Sequence, residues 1–372
     1  MHLKPFALDH WLEQKFSADP PIEFDLGAST GPVWSLRDLL ALEPGAAERL
    51  TGTVLSYTSS TGTEELRSEI ARMYGAAPEC VHVATGGAEA LLILFFLAAE
   101  PGANVVLPNP GFPANTAVAE SLGLEIRFYH LRSETGFRID ADEISARVDT
   151  RTAFVLVNSP HNPTGAVVAP ADMEAVRDFC AARGVALIAD EVYHPIYHGR
   201  EMPSAARLEG VTVLGDFSKA LCLSGLRTGW ILERDPARRA RFNNARAYFT
   251  ASNTAVSERL GALALRHRDA IYGRARAIAS RNLAMLDAFF REHESKLRWV
   301  RPAGGMTALA SLADGGDGRE FCRRAMRHGV LLAPGDCFGL PSHFRVGFAA
   351  SGEKFGAGLE RLDSMLRAAS AS

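Results

Sequence analysis

The sequence predicts an α/β fold: a mainly parallel sheet flanked by helices, accompanied by a second, smaller α+β domain. Three observations carry that expectation. Between about residues 80 and 215, short β-branched runs alternate with longer amphipathic stretches, the pattern of strand–helix–strand units. From about residue 235 the pattern turns helical, then mixes strands with helices. The chain has 372 residues, 47% of them hydrophobic, and single cores tend to split beyond roughly 250–300 residues.

Taken in order, residues 1–45 form an N-terminal segment expected to pack with the smaller domain and close over a cleft. Residues 46–255 form the large domain. Its expected strands are Val81–Ala84, Asn104–Leu107, Glu125–Tyr129, Ala153–Val157, Ala186–Ala189 and Val211–Leu214, with helices such as Glu89–Ala99 and Pro170–Arg183 between them. In such sheets the ligand site forms at the carboxyl ends of the strands. Asp235 to His293 reads as helical throughout. Residues 256–372 form the small domain, with strands expected at Trp299–Pro302, Thr307–Ser311, Val330–Ala333 and His343–Gly347, and helices at Arg319–His328 and Lys354–Ala369.

Composition excludes several roles. The formal net charge is −3 with acids and bases mixed, which gives no support for a nucleic-acid or anionic-membrane partner. The basic stretch Arg234–Arg246 alternates with apolar residues and reads as the wet face of a helix. The N-terminus carries Asp9, His10 and Glu13 where a signal peptide needs an apolar run. The apolar run Ala90–Ala99 is about half the ~20 residues a membrane span needs. The 5 cysteines are scattered and form no CxxC. Reduced thiols in a cytoplasmic protein are therefore expected.

Three segments carry chemistry. The first, GDFSKALCLSGLRTGW at Gly215–Trp230, follows an apolar strand and holds Lys219 beside Ser218, with Arg227 eight residues on. An amine among apolar walls and near a second cation loses basicity and can act as nucleophile and base. On its own, a lysine there is more often a snorkelling surface residue. The second, NSPHNPTG at Asn158–Gly165, has two X-Pro turns that hold the Asn162 amide at a strand end, though such a turn is usually only a turn. The third, IADEVY at Ile188–Tyr193, ends a buried strand in two carboxylates, which need partners. Asp190 is expected to face a cation in the cleft and Glu191 the opposite side.

In this order the three segments resemble the aspartate aminotransferase family, class I/II aminotransferases of fold type I that depend on pyridoxal 5′-phosphate (PLP). The resemblance covers almost the whole chain. It includes YTSSTGTEELR at Tyr57–Arg67, TGGAEAL at Thr85–Leu91 and the arginine of FRVGF, Arg345. It implies that Lys219 forms the Schiff base with the cofactor and then moves the substrate's Cα proton. Asp190 would pair with the pyridine nitrogen, while Asn162 and Tyr193 would hydrogen-bond the ring's 3-oxygen. Gly86, Gly87 and Ala88 would offer backbone N–H groups to the phosphate at a helix N-terminus, with Ser218 and Arg227 completing the cup. Phe112 would stack on the ring, and Arg345 would grip the substrate carboxylate. Tyr57 would reach the phosphate of a neighbouring subunit, which implies a homodimer.

Two positions depart from the family's pattern. Asp216 occupies a place where a second hydroxyl is common, and a carboxylate there would repel phosphate unless it turns away or pairs with Arg227. Ala88 replaces a small hydroxyl residue. Other constellations carry less. His194 and His198 have Pro195 between them and no acidic third ligand, so no metal is expected. Cys222 reads as an inert buried thiol, and the Phe95–Phe96 pair as core.

Family membership leaves the outcome open, because function lives in the site. Transamination of an L-amino acid is the expected reaction. The alternative is elimination of a β-hydroxyl from a hydroxyarginine, then guanidine ring closure, as in capreomycidine synthases. Stretches resembling that subgroup are LDHWLEQ near the start, Ala28–Leu42, Arg301–Leu309 and Arg327–Gly339. There Ser29 and Thr30 would lie over the substrate, although Ser or Thr before Gly-Pro is equally a capped turn. Glu23, Asp25 and Asp336 are candidate partners for a guanidinium. A non-catalytic PLP-binding regulator is set aside, because family-like sequence begins within the first dozen residues and leaves no room for a helix-turn-helix.

Overall fold

The computed structural model describes residues 3–368. Its strands in chain order are β1 (Phe24–Asp25), β2 (Val81–Ala84), β3 (Asn104–Asn109), β4 (Glu125–His130), β5 (Thr152–Asn158), β6 (Ala186–Asp190), β7 (Val211–Asp216), β8 (Gly229–Leu232), β9 (Leu297–Trp299), β10 (Thr307–Leu312), β11 (Val330–Leu331), β12 (Ala333–Pro334) and β13 (His343–Gly347). A seven-stranded sheet has the order β2-β8-β7-β6-β5-β3-β4. It is parallel except for β8, which runs against both neighbours.

The strands of this sheet are near-continuous apolar runs because helices cover both faces. Leu156, Ile188 and Leu214 pack into one cluster with Leu91, Leu94 and Phe95 of the helix Gly86–Ala98. Their strand neighbours Val155, Val157, Ala189 and Val213 join the opposite cluster, with Met173, Val176 and Cys180 of the helix Pro170–Ala182. Phe95 belongs to this core, edge-on to Phe154 at 5.1 Å. Phe96 is more exposed and meets Phe249.

A four-stranded antiparallel sheet, β12-β13-β10-β9, follows in the chain. Residues near the N-terminus attach to it and to its neighbours. Strand β1 pairs in parallel with β11, and the Trp11 indole donates to the Leu332 carbonyl at 2.7 Å. The Gly347 N–H at the end of β13 donates to the Leu26 carbonyl at 2.7 Å. Residues 26–31 are thereby laid across the end of β13 and onto the turn after β7. At Gly31 the approach is so close that a Cβ would stand 2.3 Å from the Cys222 sulfur, which only glycine permits.

Several elements differ from the sequence reading for identifiable reasons. Strand β8 was not anticipated, since GWIL follows directly on the lysine turn and is only four residues long. Strand β9 ends at Trp299 rather than running to Pro302, because Leu297 turns into the core opposite Leu312 and proline has no N–H to donate. The run Val330–Ala333 splits in two: β11 pairs with β1 and β12 with β13. The helical stretch from Asp235 is three helices, Pro236–Arg246, Ala255–Arg266 and Arg268–Glu292. Asp235 and Thr254 cap the first two by accepting from backbone N–H groups. Asp235 also shows that the basic stretch is a capped helix. All five cysteines are free, and among the described residues no helix is long and apolar enough to cross a membrane.

Candidate active site

Parallel pairing sets the carboxyl ends of β5, β6 and β7 level. Asn158 lies opposite Asp190, and Asp190 opposite Leu214. Beyond that edge opens a cavity of about 250 Å³ lined by Gly87, Ala88, Phe112, Asn162, Asp190, Tyr193, Ser218, Lys219, Arg227 and Thr30. Gly86, Ser29 and Arg345 stand behind that lining, in contact with Arg227, Lys219 and Asn162 respectively. Of the residues to which the resemblance gives a cofactor or substrate role, Tyr57 lies elsewhere and is 86% exposed.

The lysine sits on a tight turn. Phe217 N–H donates to the Thr228 carbonyl and Leu223 N–H to the Phe217 carbonyl, while Cys222 and Arg227 adopt left-handed backbone at φ 58° and 47°. Non-glycine residues held there mark an over-determined conformation. The Lys219 amine donates to the Ser29 hydroxyl at 2.9 Å. Burial lowers its pKa, with the cations Arg345 and Arg227 adding to the effect and Asp216 and Asp190 opposing it. Ser29 also accepts at its carbonyl from the Tyr193 hydroxyl at 2.8 Å.

Asp190 is buried, and burial raises its pKa to about 7; the nearby Asp216 adds to this, while the Val192 N–H and Lys219 pull it back. Its side chain accepts from the Val192 N–H at 3.2 Å and forms no ion pair among the described residues. Asn158, which the sequence reading passed over in favour of Asn162, organises this edge. Its Nδ2 donates to the Asp190 carbonyl at 3.0 Å, and its Oδ1 accepts from the Asn162 N–H at 2.8 Å. The available signal was its place as the last residue of an apolar strand. Glu191 points to the other side, as its alternating position demands, and is held by the Ser204 hydroxyl and the Ala205 N–H.

Arg345 on β13 is 1% exposed. Its Nη1 donates to Asn162 Oδ1 at 3.0 Å, its Nη2 to the Gly27 carbonyl at 2.7 Å, and its plane lies 5.0 Å above Phe338. Among the described residues no carboxylate pairs with it, and its Nε has no hydrogen-bond partner. A buried guanidinium with a spare N–H is a site for a carboxylate.

At the far end of the cavity the helix Gly86–Ala98 points its N-terminus inward. Gly86 has φ 78°, and a Cβ there would come within 2.7 Å of Arg227 Nη2. The exposed Arg227 side chain therefore lies against the first residue of this helix, and a helix N-terminus, whose leading N–H groups lack intrahelical acceptors, is a natural anion site. Ser224, unremarked in the sequence, also lines this end.

The departures resolve differently. Asp216 turns toward its own loop instead of pairing with Arg227, accepting from the Ser218 and Lys219 N–H groups at 2.9 and 3.3 Å. The suggested guanidinium partners are engaged elsewhere: Asp25 with Lys15 and the Gly27 and Ala28 N–H groups, Asp336 with Arg319, and Glu23 with Arg361. None lines the cavity. His194 bonds the Tyr197 hydroxyl and His198 the Gly305 carbonyl, so the two do not converge on a shared point.

The family model for aminotransferase class I and II matches residues 34–362. The chain belongs to this family. Among other aminotransferase family members, capreomycidine synthase from Streptomyces vinaceus is 30% identical over 368 residues, covering 96% of this chain and 93% of that protein. An arginine–pyruvate transaminase from Pseudomonas aeruginosa is 31% identical over 321 residues, covering 80% and 79%. A solved PLP-dependent aminotransferase from Streptococcus suis superposes with a TM-score of 0.91 at 27% identity, covering 99% of both chains. The PLP-dependent cyclase OrfR superposes at 0.89 and 28%, covering 99% and 98%. These likenesses make this aminotransferase-family chain an enzyme of fold type I.

Proposed function

We propose that this protein uses PLP to remove the Cα proton of an L-amino acid and transfer its amino group, with Lys219 as the base. The observation that carries the reading is one cavity lined by a low-basicity amine and a buried carboxyl without a cation, with a buried guanidinium without a carboxylate bonded to its Asn162. The residues present fit the cofactor. Gly86, Gly87 and Ala88 with Ser218 and Arg227 suit its phosphate, Asp190 its ring nitrogen, Asn162 and Tyr193 its 3-oxygen, and Phe112 and Val192 its flat faces. When bound, PLP supplies an electron-withdrawing ring that stabilises negative charge at Cα.

The chain's own groups do the rest. Burial keeps the Asp190 carboxyl at a pKa of about 7 while it lacks a partner, so a cationic partner draws out its charge and is held in turn. Arg345 and Asn162 fix the substrate carboxylate and so aim the Cα–H bond. Ser29 holds the Lys219 amine on the substrate side, ready to take a proton from Cα and return it. Tyr193 ties that same segment to the cofactor's edge.

The exposed Val54, Leu55, Tyr57 and Tyr248 form apolar surface that a homodimer would cover, with Tyr57 directed to the partner's phosphate. The attachment of Trp11 and of Phe24, Asp25 and Leu26 to β11, Leu332 and β13 supports grouping the N-terminal segment 1–45 with 256–372, apart from 46–255. Free, mostly buried thiols support a reducing, cytoplasmic setting.

A second reading, β-elimination and ring closure on an arginine-derived substrate, is favoured by the likeness to capreomycidine synthase, which covers 96% of this chain, and by Thr30 lining the cavity while Ser29 bonds Lys219. Against it, the acidic residues suggested as guanidinium partners, Glu23, Asp25 and Asp336, are each engaged by other groups and do not line the cavity. Incubation with arginine, hydroxyarginines and common amino acids, with and without 2-oxoglutarate or pyruvate, separates the two by product mass. Amino transfer that requires the keto acid is the expected result. Loss of water without keto acid would establish the second reading, and the absence of any Cα-proton exchange would defeat both.

A further inference from the structure

Asp216 borders the phosphate end of the cavity with Gly87, Ser218 and Arg227. A Cβ on Gly87 would lie 3.3 Å from Asp216 Oδ2, so that oxygen abuts the first turn of the helix proposed to take the phosphate. The other oxygen, Oδ1, is fixed by the Ser218 and Lys219 N–H groups at 2.9 and 3.3 Å. An ionised carboxylate and a phosphate cannot share that turn without a proton between them, just as paired carboxyls in one site hold a single proton. A protonated Oδ2, by contrast, is a donor aimed at an acceptor-rich group.

Resting on the PLP reading, we infer that Asp216 binds the cofactor's phosphate as the protonated acid, so that this protein takes up cofactor and proton together. Burial raises the Asp216 pKa, against the pull of Lys219 and of the Ser218 hydroxyl and N–H. Facing it across the cavity are Asp190 and Tyr193, with Arg227 at the mouth and Arg345 behind Asn162. On the rear side of β7, a second cavity that Asp216 also borders presents Glu191, Tyr74, His194, Arg268 and Arg276. The sign follows from the raised pKa. Below it the acid already carries the proton the phosphate needs. Above it that proton must be taken from solvent, and the cofactor's dissociation constant rises by up to about tenfold per pH unit.

The test is equilibrium dialysis of PLP against wild type and Asp216→Asn from about pH 6 to about pH 9, with pyridoxal as the phosphate-free control. Asparagine keeps the Oδ1 acceptor of the turn and donates from Nδ2 at every pH. Asp190, Glu191 and Lys219 titrate in both proteins, so the difference between them belongs to residue 216. We expect wild-type affinity for PLP to fall at least about tenfold more than the variant's across the range, with no such difference for pyridoxal. Asp216→Ser, which also lacks the charge, should follow the asparagine variant and serves if that variant does not fold. Parallel PLP profiles would overturn the inference, as would a difference that persists with pyridoxal, which would make Asp216 only a cap for the lysine turn. If wild type binds no PLP at any pH, the proposed function itself fails and this inference with it.

Discussion

Lys219→Ala is expected to slow exchange of the substrate's Cα proton by at least ~10³-fold, within the range that a positioned general base contributes, while PLP still binds without a covalent link. Exchange is read by NMR as loss of the Cα–H signal in deuterated buffer. Of the cofactor-binding groups, Asp190 and the helix N-terminus sit on other elements and remain in place. The lost step is the one that needs an amine of lowered basicity, held by Ser29 at 2.9 Å. Wild-type exchange in the variant would mean that another group is the base; Tyr193 is the nearest alternative, but burial raises its pKa, which makes its hydroxyl a poor base.

Arg345→Gln should lower kcat/KM for an amino acid by about 10³-fold, the loss expected when one partner of a buried charge pair is truncated. The corresponding amine without a carboxylate should be processed equally by both proteins. Stability should move the other way. Arg345 is 1% exposed and has no counter-ion, and a buried unpaired cation costs free energy. The ligand-free variant should therefore melt at or above the wild-type temperature. A variant that melts lower, and loses activity on acid and amine alike, would show that Arg345 only holds Gly27 and Asn162 together.

The large sheet was legible because its strands are buried on both faces and so read as unbroken apolar runs; β8 was not, being four residues hard against a motif. The strand-end residues Asn162, Asp190 and Lys219 could be found because a parallel sheet brings successive carboxyl ends to one edge. What the sequence could not show is how distant side chains meet. The Lys219–Ser29 contact spans 190 residues, and Arg345–Asn162 spans 183. Residues 26–31 are brought to the site by the pairing of β1 with β11 and by the Gly347–Leu26 hydrogen bond. Asp25 was a reasonable partner for a guanidinium as an acidic residue near a cleft, yet its carboxylate is taken up by the turn it begins.

The claim on which the rest depends is that Lys219 carries the cofactor. Borohydride reduction of the PLP-loaded protein, then peptide mass mapping, tests it directly. The expected result is one reduced phosphopyridoxyl group per chain, on the peptide containing Lys219, with loss of the yellow colour. A protein that stays colourless with PLP and takes up no label, or whose label falls on Lys4, Lys15, Lys296 or Lys354 instead, would contradict it.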